Sequence, residues 1–367
     1  MTDAAEMPAV AMPGAALPGG ALPGVAFGAD SLHAMRNRLH TLLAHAGVGG
    51  GAIDEAGASL EAQALGVPEP ARVVAAPPLE GHALRTRRLG PVASGEAPLA
   101  FTAFLDGTQS SHPLWYHDGL PIVRGTVAAV VRVRRNRLMA TWARGPRVER
   151  RVYAPCRHLP PAVCDALHAL GVPVRDTSEP GPDGAAPPSH PLALLDRAVH
   201  FVQADRERAE RELAEAWCER QPVEGGFLLV DGGIQGSELV AASRCVLGVV
   251  KSHRTLYAEG DALRTVLALG AGQRSTAFRV SVGRRAPVAS WYVRLRDPAG
   301  RDPMWSLVRL EAALPDAAEP PEATTARFDA ASRAVVAEAA PLALPDGRWD
   351  KMVYPIRDCE QFLKAIC

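Results

Sequence analysis

The alternation of apolar and polar positions divides the chain into stretches of different period. Residues 1–30 repeat alanine, proline and glycine ("MPAVAMPGAALPGGALPGVAFG") and offer no face of helical or strand spacing, which predicts a disordered tail. From Ser31, "SLHAMRNRLHTLLAHAG" places Leu and Met at helical intervals between a serine in the N-cap position and a closing glycine, which predicts a helix. Residues 50–98 are looser, with a short helix expected near 54–65 and a proline-rich connection after it.

From residue 99 the period shortens. "LAFTAFLDG" reads as a strand that stops on Asp106-Gly107-Thr108. "IVRGTVAAVVRVRRNRLMATWARG" holds two β-rich runs around "RRN", a hairpin, so three antiparallel strands in succession are expected. Residues 160–170 read as a short helix, "SEPGPDGAAPPSHP" at 178–191 as a loop, and about 191–220 as a long helix ending at "ERQP". A strand to Asp231, a helix around 237–244, the strand "CVLGVVKS" and a helix near 259–269 follow. Strands in "TAFRVSV", "SWYVRLR" and "WSLVRLEAAL", a helix at 323–338 and a short helix in "CEQFLKAIC" complete the chain. Antiparallel strands first and β-α alternation afterwards predict an α/β fold, a mixed sheet flanked by helices. No internal repeat is visible.

Composition narrows the classes. The 367 residues, 47% hydrophobic, suffice for one large domain or two smaller ones. No apolar run approaches the roughly 20 residues of a membrane helix. The first residues lack a charged segment followed by a compact apolar core, which argues against secretion. Six cysteines (156, 164, 218, 245, 359, 367) contain no CxxC pair, which argues against structural zinc or a disulfide framework and points to a cytoplasmic protein. The formal net charge of +0 argues weakly against a nucleic-acid partner. Of 40 Lys and Arg only Lys251, Lys351 and Lys364 are lysines, leaving 37 arginines. Codon bias of a GC-rich genome is the plain source of that excess, yet guanidinium holds phosphate bidentately whatever put it there.

Two β-rich runs end alike, "FTAFLDGTQS" at 101–110 and "GGFLLVDGGIQG" at 225–236. A carboxylate at the C-terminal end of a strand projects from the sheet edge where open α/β folds bind ligands, and the glycine after it allows a close approach to the backbone. In isolation each Asp-Gly reads as a turn. Kinase-like and nucleotide-binding loops need GxGxxG or GxxxxGK[ST], and neither is present. The same absence counts against a hydrolase of small phosphorylated metabolites.

"FLDGTQS", a Glu-bearing helix leading into "LLVDGGI", then "VLGVVKSHRTLY", "GQRSTAFRV", "SWYVRL" and "YPIRDCEQFLKAI" together resemble the NurA family of nucleases, which have an RNase H-like core. The resemblance spans roughly residues 98–367. It implies an RNase H-like nuclease domain over 98–367, which follows the tail over 1–30 and an N-terminal helical extension over 31–97 expected from the pattern above. The family's metal site combines an Asp after the first strand, a Glu on a helix, a second Asp and a C-terminal His or acid. By position these become Asp106 and Asp231, with Glu360 where the family often has His, and Asp358 as its rival. For the helical ligand, "DRERAERELAEAW" offers Glu207, Glu210, Glu212 and Glu215, of which Glu212, 19 positions before Asp231, matches the family's placement best. A solvated face with i,i+4 ion pairs is the alternative for this helix.

Converging carboxylates repel, so either their pKa values rise or a cation joins them, and all-oxygen ligation suits Mn²⁺ or Mg²⁺. A two-metal site would need no covalent nucleophile. Lys251, ending a predicted strand, is a candidate for the scissile phosphate or a plain capping lysine. Arg274 and Arg294 stand at family-like positions for contact with the DNA backbone, against the alternative of solvated strand faces. Arg132, Arg134, Arg135 and Arg137 lie on the predicted hairpin and can form one basic edge. His112 and His117 read as loop residues, and Trp115-Tyr116 as a base-stacking pair or as core. The resemblance implies a metal-dependent deoxyribonuclease, a 5′ to 3′ exonuclease with endonuclease activity on single-stranded DNA. It further implies a homodimer docked on a HerA-type hexameric ATPase, serving double-strand-break repair or phage defence, with the helix from Ser31 as a candidate contact. The alternative is a catalytically degenerate RNase H-like subunit that binds DNA or the ATPase as a scaffold.

Overall fold

A computed structural model describes residues 31–49, 60, 70–92, 98–136, 138–179, 189–224, 226–339 and 349–367. The expected tail, most of the expected helix near 54–65 and most of the loop at 178–191 lie outside the described residues.

In chain order the elements are α1 (Leu32–His45), β1 (Arg72–Val73), β2 (Thr86–Arg88), β3 (Phe101–His117), β4 (Leu120–Arg135), β5 (Leu138–Thr141) and β6 (Arg147–Ala154). Next come α2 (Pro161–His168), β7 (Val174–Asp176), α3 (Pro191–Glu224), β8 (Phe227–Asp231), α4 (Glu238–Ala242), β9 (Val246–Val250), β10 (Thr255–Leu256) and α5 (Gly260–Leu267). The last are β11 (Gln273–Ser275), β12 (Phe278–Val280), β13 (Val288–Arg294), β14 (Leu307–Ala312), α6 (Pro321–Glu338) and α7 (Tyr354–Ile366). The Ser31 hydroxyl caps α1 by accepting the Ala34 N–H at 3.1 Å, while Met35, Leu39 and Leu43 form its buried face. Proline opens α2 and α6, where the missing N–H has no helical acceptor in any case.

Twelve strands form one mixed sheet in the order β2-β11-β13-β14-β9-β8-β3-β4-β6-β7, with β12 beside β13 and β5 beside β4. Its centre is parallel: β3 with β8, and β8 with β9. On one face α3 and α4 cover Leu105, Val131, Leu228 and Val230 through Leu213, Trp217 and Val240. On the other, α6 and α7 cover Phe104, Val130, Leu229 and Val249 through Phe328, Ile356, Cys359 and Leu363. Neighbouring residues Phe104 and Leu105 thus enter opposite cores, as strand geometry requires. A third cluster packs α1 and α2 against Leu114, Trp115, Ile122 and Val152 at the far end of the β3–β4 hairpin.

Three expectations change. The strand does not stop at Asp106. β3 runs on to His117, paired with β4 almost throughout, and only its parallel partner β8 ends beside Asp106. The looser stretch after residue 50 supplies β1 and β2, and β2 pairs with β11. The closing helix begins at Tyr354 rather than near Cys359.

Candidate metal centre

Register builds the site. Leu105 pairs with Val230 across the parallel β3–β8 ladder, so the next step along both strands sets Asp106 beside Asp231. Adjacent strands lie about 4.8 Å apart, and alternation sends both side chains to the α7 side of the sheet. Asp231 pairs with Val249, and Lys251 stands two residues further along the same chain. Its ammonium reaches the Asp231 carboxylate at 2.9 and 3.0 Å.

α7 delivers the third carboxylate. Ile356, Cys359 and Leu363 form its buried stripe, and the Cys359 thiol donates to the Phe104 carbonyl at 3.5 Å. Arg132 on β4 donates through Nε to Asp358 at 2.8 Å and fixes the helix's rotation. Glu360 then faces the two aspartates: one carboxylate oxygen each from Asp106, Asp231 and Glu360 lie within 4.8 Å of one another. Asp358, the rival for this place, is held by Arg132 instead.

Of the glutamates on α3 weighed for this site, Glu210 rather than Glu212 approaches the two aspartates. Glu212 pairs with Arg147 and, at 3.1 Å, with Arg208. Glu210 is in helical phase with Leu213, Ala214 and Trp217, the residues that bind α3 to the sheet. Two positions on, Glu212 is rotated by about 200° and points away. Glu210 packs on Gly107, where an added Cβ would lie 2.9 Å from its Cγ and overlap its carboxyl group. Gly107 therefore admits the acid to the cluster's edge. Arg206, one turn back, pairs with Glu210 and donates to Gln109 at 2.9 Å.

Mutual repulsion is visible in the acids. Asp106 is only 5% exposed, and burial, followed by the Asp231 charge, raises its pKa well above the usual carboxylate range, with Lys251 opposing. Burial also pushes Glu210 up to about 7 against the pull of Arg206. A divalent cation would relieve this repulsion. An all-oxygen donor set of hard carboxylates fits Mg²⁺ or Mn²⁺ and lacks the sulfur and imidazole ligands that zinc favours. The cluster opens into a cleft of about 400 Å³ that Asp106, Asp231, Lys251, Glu360 and Lys364 help to line.

The arginines expected on DNA are committed to partners within the protein. Arg274, fully buried, binds Glu80 at 2.6 Å and Asp329 at 2.5 Å and ties β11 to α6. Arg294, also fully buried, donates to the carbonyls of Leu269, Leu267 and Pro303 at 3.0, 2.9 and 2.9 Å. Arg134 grips both oxygens of Glu338 at 2.7 Å and lies 4.7 Å from the Phe104 ring centre. Charge on a strand draws a sequence reading toward solvent, but these three arginines bind α6 and the loops to the sheet. Trp115, at 2% exposed, belongs to the core under α1, not to a stacking surface. His112 and His117 sit on β3 rather than in a loop.

Sequence reasoning also passed over Glu311. Completely buried on β14, it accepts the Ile234 N–H at 2.9 Å and the Gln235 side-chain amide at 2.8 Å, and pairs with Arg309 at 2.7 Å. It pins the turn that follows Asp231. A lone Glu inside an apolar strand, "WSLVRLEAAL", was the available signal.

No protein-family model matches the chain, and no curated protein matches it. Among solved structures it is similar to the crystal structure of the NurA nuclease from Sulfolobus solfataricus, with 12% sequence identity and a TM-score of 0.39, covering 73% of this chain and 81% of that chain. That is a distant structural relationship.

Proposed function

We propose that this protein is a metal-dependent nuclease that hydrolyses DNA phosphodiesters at the Asp106–Asp231–Glu360 cluster. The observation that carries the reading is the meeting of these three carboxylates at the carboxyl edge of the parallel strands, within 4.8 Å, beside a lysine. A bound Mg²⁺ or Mn²⁺ pair would activate water and stabilise the leaving oxygen. Asp106 and Asp231 hold that charge from the sheet, and Glu360 from α7. Lys251 brings a cation to the rim, where a phosphate oxygen can accept from its ammonium. Glu210, with its pKa near neutrality, can hold a proton at its carboxyl group beside Gly107. Glu360 completing the set weighs against the degenerate-scaffold alternative. On this reading the chain processes DNA ends, with the homodimer and the HerA-type ATPase that the sequence resemblance implies.

The test is degradation of linear single- and double-stranded DNA by the purified protein with Mg²⁺, Mn²⁺ or EDTA. Activity is expected only with a divalent cation, and Asp106→Asn and Asp231→Asn should each lower it at least about 10³-fold, the scale of losing central electrostatic stabilisation. Wild-type protein inert on every substrate, or activity surviving in Asp106→Asn, overturns the reading.

A further inference from the structure

The three lysines of the chain converge on this one site. Lys251 and Lys351 line a cleft of about 440 Å³, Lys251 and Lys364 line the adjoining cleft of about 400 Å³, and Glu360 forms part of both walls. With 37 arginines elsewhere in the sequence, a cation at any given position is overwhelmingly arginine. Three nearby arginines are used as structural ties, Arg132 to Asp358, Arg134 to Glu338 and Arg206 to Glu210, while Arg357 joins Lys351 in lining the first of these clefts. Among the described residues, neither Lys351 nor Lys364 is in an ion pair. On α7, Glu360 and Lys364 are one turn apart, so the ammonium follows the carboxylate along one face at a rise of about 6 Å.

The chemistry separates the two residue types. Arginine's rigid fork suits a fixed internal carboxylate, whereas lysine is a mobile point charge that follows a phosphate without fixing its orientation. A sliding polyanion needs the second kind of contact. Asp106 is recessed, at 5% exposed, so a phosphate must descend to the cluster, and a flexible single strand does this without the bending cost of a duplex.

Building on the nuclease reading above, we propose that Lys351 and Lys364, one in each cleft, bind backbone phosphates of a single nucleic-acid strand, which crosses from one cleft to the other over Glu360. The ligand class is a polyphosphodiester, recognised by charge and not by base.

Fluorescence anisotropy of a labelled single-stranded oligonucleotide tests this, using Asp106→Asn protein in EDTA across a range of salt. Lys351→Gln and Lys364→Gln should each reduce the slope of log K against log salt by about 0.7, and the double variant by about 1.4, with affinity falling on the order of tenfold. Lys→Arg at both sites should keep the slope. An unchanged slope in the double variant overturns the proposal and leaves the lysines as counter-charges to the carboxylates. Equally tight binding of a duplex of the same length, with the same slope loss, overturns the single-strand assignment. Hydrolysis of bis(4-nitrophenyl) phosphate, too small to span the lysines, tests the underlying nuclease reading separately in protein with Asp106 intact. Wild-type protein should hydrolyse it with Mn²⁺ and not in EDTA, and inertness there overturns the nuclease reading while the salt slopes alone decide the track.

Discussion

Glu210, like Asp106, sits in surroundings that oppose its charge. Burial raises its pKa from 4.5 to about 7, Arg206 pulls the other way, and the Asp231 and Glu207 charges add to the rise. A carboxyl group whose folded pKa lies above its unfolded value stabilises the fold fully below the unfolded pKa and loses that contribution as pH rises through the folded one. In EDTA, the unfolding free energy should therefore fall between about pH 4.5 and about 7 by an amount on the order of 3 kcal/mol, and the thermal midpoint with it. Glu210→Gln should flatten that portion of the curve, measured by melting at a series of pH values, and an identical slope in the variant would refute the assignment. The choice between Glu210 and Glu212 shows what the sequence withheld at this scale. Spacing from Asp231 favoured Glu212, whereas the phase of Leu213, Ala214 and Trp217 marks the sheet-facing side and selects Glu210. The information was present in the helical period, but only a reading that already knew which stripe meets the sheet could use it. Asp106 and Asp231 stood out because each follows an apolar run and precedes glycine, and Glu360 because it adjoins the apolar stripe of the closing helix.

At the scale of elements, the turn after β8 depends on a strand three ladders away from β3. Glu311 on β14 binds the Ile234 N–H and Arg309, and Gly248 on the intervening β9 has no room for a side chain, since a Cβ there would sit 2.6 Å from the Gly232 carbonyl oxygen. Removing one member of a buried ion pair leaves an uncompensated charge, so Glu311→Ala should cost about 3–5 kcal/mol. Adding Arg309→Met should recover most of that loss in a urea titration, while the orphaned Ile234 N–H keeps the turn loose and DNA cleavage low. Full recovery of cleavage in the pair would show that Glu311 acts on stability alone. Long elements were readable from period, as α3 and β13 show. β1 and β2, of two and three residues, are too short to have one. The outer half of β3 was misread because "GTQSSH" is polar. Its backbone is held by the β4 ladder, from Gly107 opposite Ala129 to His112 opposite Arg124, not by an apolar side-chain pattern.

Across the whole molecule, the cluster joins a central strand, its parallel neighbour and the C-terminal helix, segments whose closeness no local pattern encodes. The same convergence ties metal binding to global stability. In the absence of a cation the three acids repel, and the Glu360 charge is among those that raise the Asp106 pKa. A cation that binds only the folded cluster stabilises it by RT ln(1 + [L]/Kd), about 2.7 kcal/mol at a hundredfold excess over Kd. Glu360→Gln separates these two effects because it removes a repulsion and a ligand together. In EDTA the variant should melt at or above the wild-type temperature, since a neutral amide relieves Asp106. With saturating Mn²⁺ or Mg²⁺ the order should reverse, as wild type gains its increment and the variant gains little. Paired melts with and without cation check the crossing. If the two proteins gain equally, the ion binds elsewhere, and the three carboxylates meet at the sheet edge for a reason other than holding metal.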